Sequence, residues 1–292
     1  MEWKPLSIED KAVIDGFTKN KFETCDLNFT NQFLWGQQEN ACYRISEDGD
    51  VLTIKGSFEG ATYHYLPLSR TDNVGNVRKE AARIAGEGGK IVLIPEKWYR
   101  LMGEEGFLWE EKRDTFDYVY NYEDLATLHG RKYSKKKNRI NHFLSNYPDF
   151  SYVPITSDNI GEVITFQEEW CYDKSCYDVP ILQSENIGIH NLLRNFGKLD
   201  YVGAFLEVDG QIVCYTLGEA LTPEYVVIHI EKGINDFIGC YQMINKLFLE
   251  NAFPGYKYVN REDDFGDEGL REAKTSYHPA FLLKKYEIKG LK

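Results

Sequence analysis

The sequence predicts an α/β chain built from two similar domains, each a mixed sheet flanked by helices. Two observations lead there. The 292 residues are too many for most single hydrophobic cores, so two domains are expected. The order of predicted strands and helices also recurs in the second half although the residues do not, which is duplication of architecture. The expected division is residues 1–128, a basic linker helix at 129–148, and residues 149–292.

Each element follows from local pattern. Residues 3–6 read as a short strand, and Ser7 as the cap of a helix with Glu9 and Asp10 in its first turn. The aromatic-rich segment 25–36 reads as helical. Three strands follow at 41–46, 51–55 and 62–67, the first two joined by the turn Glu47-Asp48-Gly49-Asp50. A helix at 77–85, a buried strand at 90–95, a short helix at 97–102 and closing strands at 107–110 and 117–121 complete the first domain. The second half begins with a strand at 150–155 and a helix over 159–171 capped by Ser157. A helix at 186–195 comes next. Strands at 201–207 and 212–219 flank Val208-Asp209-Gly210-Gln211, a second turn of the same kind. A strand at 225–231, a helix at 239–252, a strand at 256–260, a helix at 270–276 and a strand at 281–289 end the chain.

Composition narrows the function. With 46 acidic against 34 basic residues the net charge is −12, which argues against broad binding of nucleic acid or anionic membranes and predicts no DNA partner. The six cysteines form no CxxC and no Cys/His cluster at zinc spacing, so no metal is expected. There is no apolar leader and no run of membrane-spanning length, and the expected location is cytoplasmic. Against this acidic background residues 131–147 stand out. Arg131, Lys132, Lys135, Lys136, Lys137 and Arg139 are basic, and Tyr133, Lys137, Ile140, Phe143, Leu144 and Tyr147 trace one helical face. This is either a solvated helix between domains or an anion-binding helix beside a cleft.

The stretch 225–253 carries the chemistry. His229 and Glu231 alternate onto one face of the strand. Gly239 opens the next helix and is expected to leave its first N–H groups open to a phosphate or oxyanion. Transfer of an acyl group needs a base, donors for the tetrahedral oxyanion and a cleft that aligns the reactants. Glu231 is the first candidate for the base and His229 the second. The alternatives are an ion pair for Glu231 and a buried, bonded ring for His229. The run 260–264 ends a strand, where ligands often bind. There Asn260, Glu262 and Asp263 can receive an amine. Arg271 and Lys274, three apart on the next helix, can hold a phosphate or carboxylate. A network pinning strand to helix is the alternative. Tyr241 and Tyr277 can donate hydroxyls, and Lys135, Asn138 and Arg139 can meet a carrier's phosphates.

The element order strand, two helices, three antiparallel strands, helix, strand, helix, strand is that of the GNAT acyltransferase fold. Three blocks, GRKYSKKKNRINHF, HIEKGINDFIGCYQMIN and YVNREDDFGDEGLREAKTSYHP, resemble a bacterial family of unknown function. It is grouped with the C-terminal catalytic domain of phosphatidylglycerol lysyltransferase. The resemblance covers nearly the whole chain. It implies a tandem GNAT related to Fem-type aminoacyltransferases, with acyl-CoA or aminoacyl-tRNA as donor and an amine or hydroxyl as acceptor. Two departures matter. The loop 232–239 has glycine only at its ends, unlike the basic–x–x–Gly–x–Gly/Ala loop of CoA-binding relatives. The membrane-embedded half of lysyltransferases is missing, so lipid export is not expected. A non-catalytic sensor of an amino acid or nucleotide, or an RNA-binding regulator, are the other function classes. The residues leave the oligomeric state open.

Overall fold

The structure, a computed structural model, describes residues 2–58 and 60–292. Along the chain come β1 (Lys4–Pro5), α1 (Lys11–Thr18), α2 (Phe29–Gly36), β2 (Cys42–Ile45), β3 (Val51–Phe58), β4 (Ala61–Tyr65) and β5 (Leu68–Ser69). Next are α3 (Val74–Gly86), β6 (Lys90–Pro95), α4 (Glu96–Met102), β7 (Phe107–Glu111), β8 (Asp117–Asn121), α5 (Tyr122–Thr127) and α6 (Ser134–Asn146). Then follow β9 (Ser151–Pro154), α7 (Ile160–Asp173), α8 (Pro180–Arg194), β10 (Val202–Val208), β11 (Gln211–Ala220), β12 (Tyr225–Gly233) and α9 (Cys240–Ala252). The last are β13 (Tyr258–Asn260), α10 (Glu268–Thr275), β14 (Phe281–Leu283) and β15 (Lys285–Leu291). Ser7 does open a capping box with Asp10. The residue before α7 is Asn159, whose side chain accepts the Thr156 N–H, rather than Ser157. Helix α8 starts six residues before the expected 186, because Pro180 at its first turn needs no N–H partner there.

The chain forms two compact units that are not consecutive in sequence. One comprises residues 1–117, 263–271 and 282–292, and the other 118–262 and 272–281. The first sheet runs β1-β2-β3-β4-β6-β15-β7, with β5 on β3, and the second runs β14-β8-β13-β12-β11-β10-β9. Each is mixed around one parallel pair, β4 with β6 and β12 with β13. A helix on the intervening chain, α3 in one and α9 in the other, makes the crossover that parallel strands require. In each sheet the strand beside that pair comes from the other half of the sequence. Thus β15 pairs with β6, and β8 pairs with β13. The strand expected at 117–121 to close the first sheet therefore lies in the second. The strand expected over 281–289 breaks at Lys284 into β14 and β15, which join different sheets.

A buried charge cluster fixes β15 in the first unit. Lys285 is fully buried, with Nζ 2.6 Å from Asp117 and 2.5 Å from Asp26. Cys25 adds its thiol 3.3 Å from Asp117 and its N–H at 3.0 Å. Burial pushes the Asp26 carboxyl up to about 6, with Lys285 pulling the other way. Cys25, Asp26 and Asp117 converge as cation ligands do, but the ammonium of Lys285 takes the cation's place. Removing one member of such a set leaves an uncompensated buried charge.

In the second unit β11 is buried from Ile212 through Glu219, which makes it a central strand. The β10–β11 turn has Asp209 and Gly210 both at positive φ, as a two-residue hairpin matched to strand twist requires.

Candidate functional site

The site lies in the second unit, where the parallel pair ends. Tyr225, Val226 and Val227 pair with Tyr258, Val259 and Asn260. There β13 stops, while β12 continues to Gly233. Beyond the last backbone pair, side chains bridge the two segments.

His229 makes the first bridge. Against β11, Leu217 faces Ile230 and Gly218 faces Ile228, so His229 is the extra residue of a bulge. Its ring is fully buried, with Nε2 2.9 Å from Glu219 and Nδ1 2.8 Å from Glu262. Glu262 is presented by a tight turn: its φ is +56°, and its N–H donates to Asn260 Oδ1 at 2.7 Å. Burial alone would lower the imidazole pKa, but the bonds to Glu219 and Glu262 and their charges outweigh it and raise it to about 9. At neutral pH the ring is an imidazolium with both nitrogens donating. It holds two carboxylates and cannot accept a proton.

Glu231 makes the second bridge. Its Oε1 lies 3.0 Å from the Arg261 guanidinium, and its Oε2 accepts from Asn245 at 3.3 Å. Burial would lower the Arg261 pKa, but Glu231, with Tyr277 and Tyr120, holds it above the usual arginine range. Arg261 also lies 4.9 Å from the centre of the Tyr277 ring. On the same ring, at 3.9 Å, sits Lys136 Nζ, which donates to Ser276 Oγ at 2.6 Å. Burial, reinforced by the charges of Arg261 and Arg139, lowers the Lys136 pKa to about 8. Among these residues Lys136 is the group able to exchange a proton near neutral pH.

The remaining candidates are placed as follows. Tyr241 turns its hydroxyl back onto Gly233, bonded at 2.9 Å to both its N–H and its carbonyl, and so closes the loop into α9. Gly239, at φ +100°, is required by packing: a Cβ there would lie 2.1 Å from the Arg139 carbonyl oxygen. The close approach of α6, rather than an open cradle, explains this glycine. Lys135, Asn138 and Arg139 lie on the exposed side of α6. Asn260 is fully buried and builds its turn. Lys274 donates to the Arg261 carbonyl at 2.7 Å. Asp263 and Arg271 belong to the first unit. Arg271 bonds Asp264 at 2.8 and 2.9 Å and Asp114 at 2.8 Å, so it and Lys274 do not act as a pair.

Sequence reasoning missed Lys136, Arg261, Asn245 and Glu219 as parts of the cluster. For Lys136 the signal was present. Tyr133, Lys136, Ile140 and Phe143 are spaced three and four apart, and this is the inward face of α6, whereas Leu144 is 39% exposed.

Two mixed sheets, each with a helix-bridged parallel pair, give the chain a doubled α/β architecture. The chain belongs to the family described as phosphatidylglycerol lysyltransferase, C-terminal, which matches residues 18–289. A conserved protein of unknown function from Bacteroides thetaiotaomicron is 32% identical over all of both chains, with a TM-score of 0.89. L-PGS from Bacillus licheniformis shares the fold at 15% identity, covering 98% of this chain and 92% of that one, with a TM-score of 0.65. An uncharacterized protein of Mycoplasmoides gallisepticum is 26% identical over 59% of this chain, and the match spans 56% of that relative's length. Among the described residues no helix is long and apolar enough to cross a membrane.

Proposed function

We propose that the second unit transfers an acyl or aminoacyl group from CoA or aminoacyl-tRNA to an amine or hydroxyl acceptor. The single observation that carries the reading is the grouping of Lys136 with the Glu231–Arg261 pair at the end of the β12–β13 ladder. On this reading Arg261 and the Tyr277 hydroxyl face the donor's carbonyl oxygen as it gains charge. The free lone pairs of Glu231 receive the acceptor's amine. The acceptor's nitrogen or oxygen bonds to the carbonyl carbon, and its proton passes to the unprotonated fraction of Lys136. The bond from that carbon to the carrier's sulfur or oxygen breaks, and Lys136 returns the proton to the leaving group. With a pKa of about 8, roughly one Lys136 in ten is unprotonated at pH 7.

The family favours an aminoacyl donor, and the exposed Lys135, Asn138 and Arg139 suit a polyanionic carrier. The loop 232–239, with glycine at its ends only, fits CoA less well. The test is a panel of acyl-CoAs, free amino acids and charged tRNA, read as a rise in melting temperature and then as group transfer. Transfer from one donor class, lost in Glu231→Gln and in Lys136→Met, is the expected result. Binding with no transfer to any amine or hydroxyl would favour an amino-acid or nucleotide sensor.

A further inference from the structure

The first unit holds a hollow of about 530 Å³ that the transfer reading does not use. It opens where β1 and β2 meet the end of α2, and its walls include Trp3, Leu6, Phe33, Gly36, Asn40 and Cys42. Most of that wall is apolar, and the volume is within the range of small-molecule sites.

Charge is unbalanced beside it. Cross-strand pairing sets Pro5 opposite Cys42, Cys42 opposite Lys55 and Lys55 opposite His64, so this row shares one face of the sheet. Lys55 Nζ lies 4.1 Å from the centre of the Trp3 ring and the Arg44 guanidinium 4.7 Å from it. His64 approaches the same indole at 6.1 Å between ring centres. Arg44 is neutralised by Glu80 at 2.9 Å. For Lys55 the Trp3 ring is the only charge partner among the described residues, and no carboxylate pairs with it. His64 Nδ1 is buried with nothing bonded to it. An unpaired, half-buried ammonium is conspicuous in a chain with 46 acidic residues.

We propose that this hollow is a second ligand site, taking a small aromatic carboxylate whose ring packs between Trp3 and Phe33 and whose carboxylate pairs with Lys55. The pocket supplies apolar area and an indole for the ring, and Lys55 supplies a charge that no carboxylate among the described residues offsets. No residue of the transfer cluster takes part, so the two readings stand or fall separately.

Cys42 reports on occupancy. It is the one half-buried cysteine, the other five being buried, and it lines the hollow. The probes are 2-naphthoate and its uncharged analogue 2-naphthamide, added to the full-length protein during labelling with a thiol-specific disulfide reagent at pH 8.5. Naphthoate is expected to slow Cys42 labelling saturably, by about tenfold when present at ten times its dissociation constant, with naphthamide nearly inert. Lys55→Met is expected to erase the difference between the probes, and Lys55→Arg to keep it. Labelling that neither probe slows, or that both slow equally in the unaltered protein, overturns the proposal.

Discussion

The bridge through His229 makes a quantitative statement about stability. Its ring is held protonated by Glu219 and Glu262, with a pKa of about 9 against 6.5 for the free group. A group whose folded pKa is raised contributes stability that is full below the unfolded pKa and is lost as pH rises through the folded one. Between pH 6.5 and 8 the folded ring keeps its proton while the unfolded one releases it. The His229 contribution therefore falls at up to about 1.4 kcal/mol per pH unit, and by about 1.5 kcal/mol over that window because half of the unfolded rings are already neutral at its lower end. His229→Gln removes the titration and takes the imidazolium from the buried Glu219 and the half-buried Glu262, which costs about 3 kcal/mol at pH 6.5. The assay is urea unfolding of both proteins at pH 6.5, 7, 7.5 and 8, compared at constant denaturant slope. Subtracting the variant's pH dependence cancels Lys136 and Glu39, which titrate elsewhere in the same range. Parallel pH dependence of the two proteins would refute the doubly bonded imidazolium.

Other consequences are equally direct. Gly239→Ala puts a methyl 2.1 Å from the Arg139 carbonyl oxygen at a φ of +100°. Beyond the roughly 1–2 kcal/mol of left-handed strain, α6 must move, and a drop in melting temperature larger than for Gly255→Ala is expected. Lys285→Met strands Asp26 and Asp117, and chemical denaturation should show a loss of about 3–5 kcal/mol. Burial raises the Glu39 carboxyl to about 7, against the pull of Tyr63 and Tyr65. Its penalty therefore grows from pH 4.5 to 7, and Glu39→Gln should stabilise the protein at pH 7 by up to about 3 kcal/mol and not at pH 4.

The order of elements was legible because it rests on local pattern. The apolar run of β6, the alternation of β12 and the Asp-Gly turn at Asp209-Gly210 each specify themselves within a few residues. Which sheet a strand joins is not local. Asp117–Asn121 reads the same whether it pairs with β6 or β13, and what decides is its antiparallel register with Tyr258–Asn260, far along the chain. The site divides the same way. Alternation brought His229 and Glu231 to notice, but the bulge that turns His229 between two glutamates depends on the register of β11. That register makes the ring a cation clamp rather than a base. Arg261 carries no role in the sequence pattern, because only the end of β13 aims it at Glu231. Gly239 reads in sequence as an open helix end, and the packing of α6 against it replaces that reason.

The proposed mechanism has Lys136 exchange the reaction's proton beside the Glu231–Arg261 pair. It is tested most directly by the pH dependence of single-turnover aminoacyl transfer. The rate should rise with pH and level off above an apparent pKa of about 8, and Lys136→Met should abolish that rise while donor binding persists. Unaltered transfer by Lys136→Met across the pH range would contradict it.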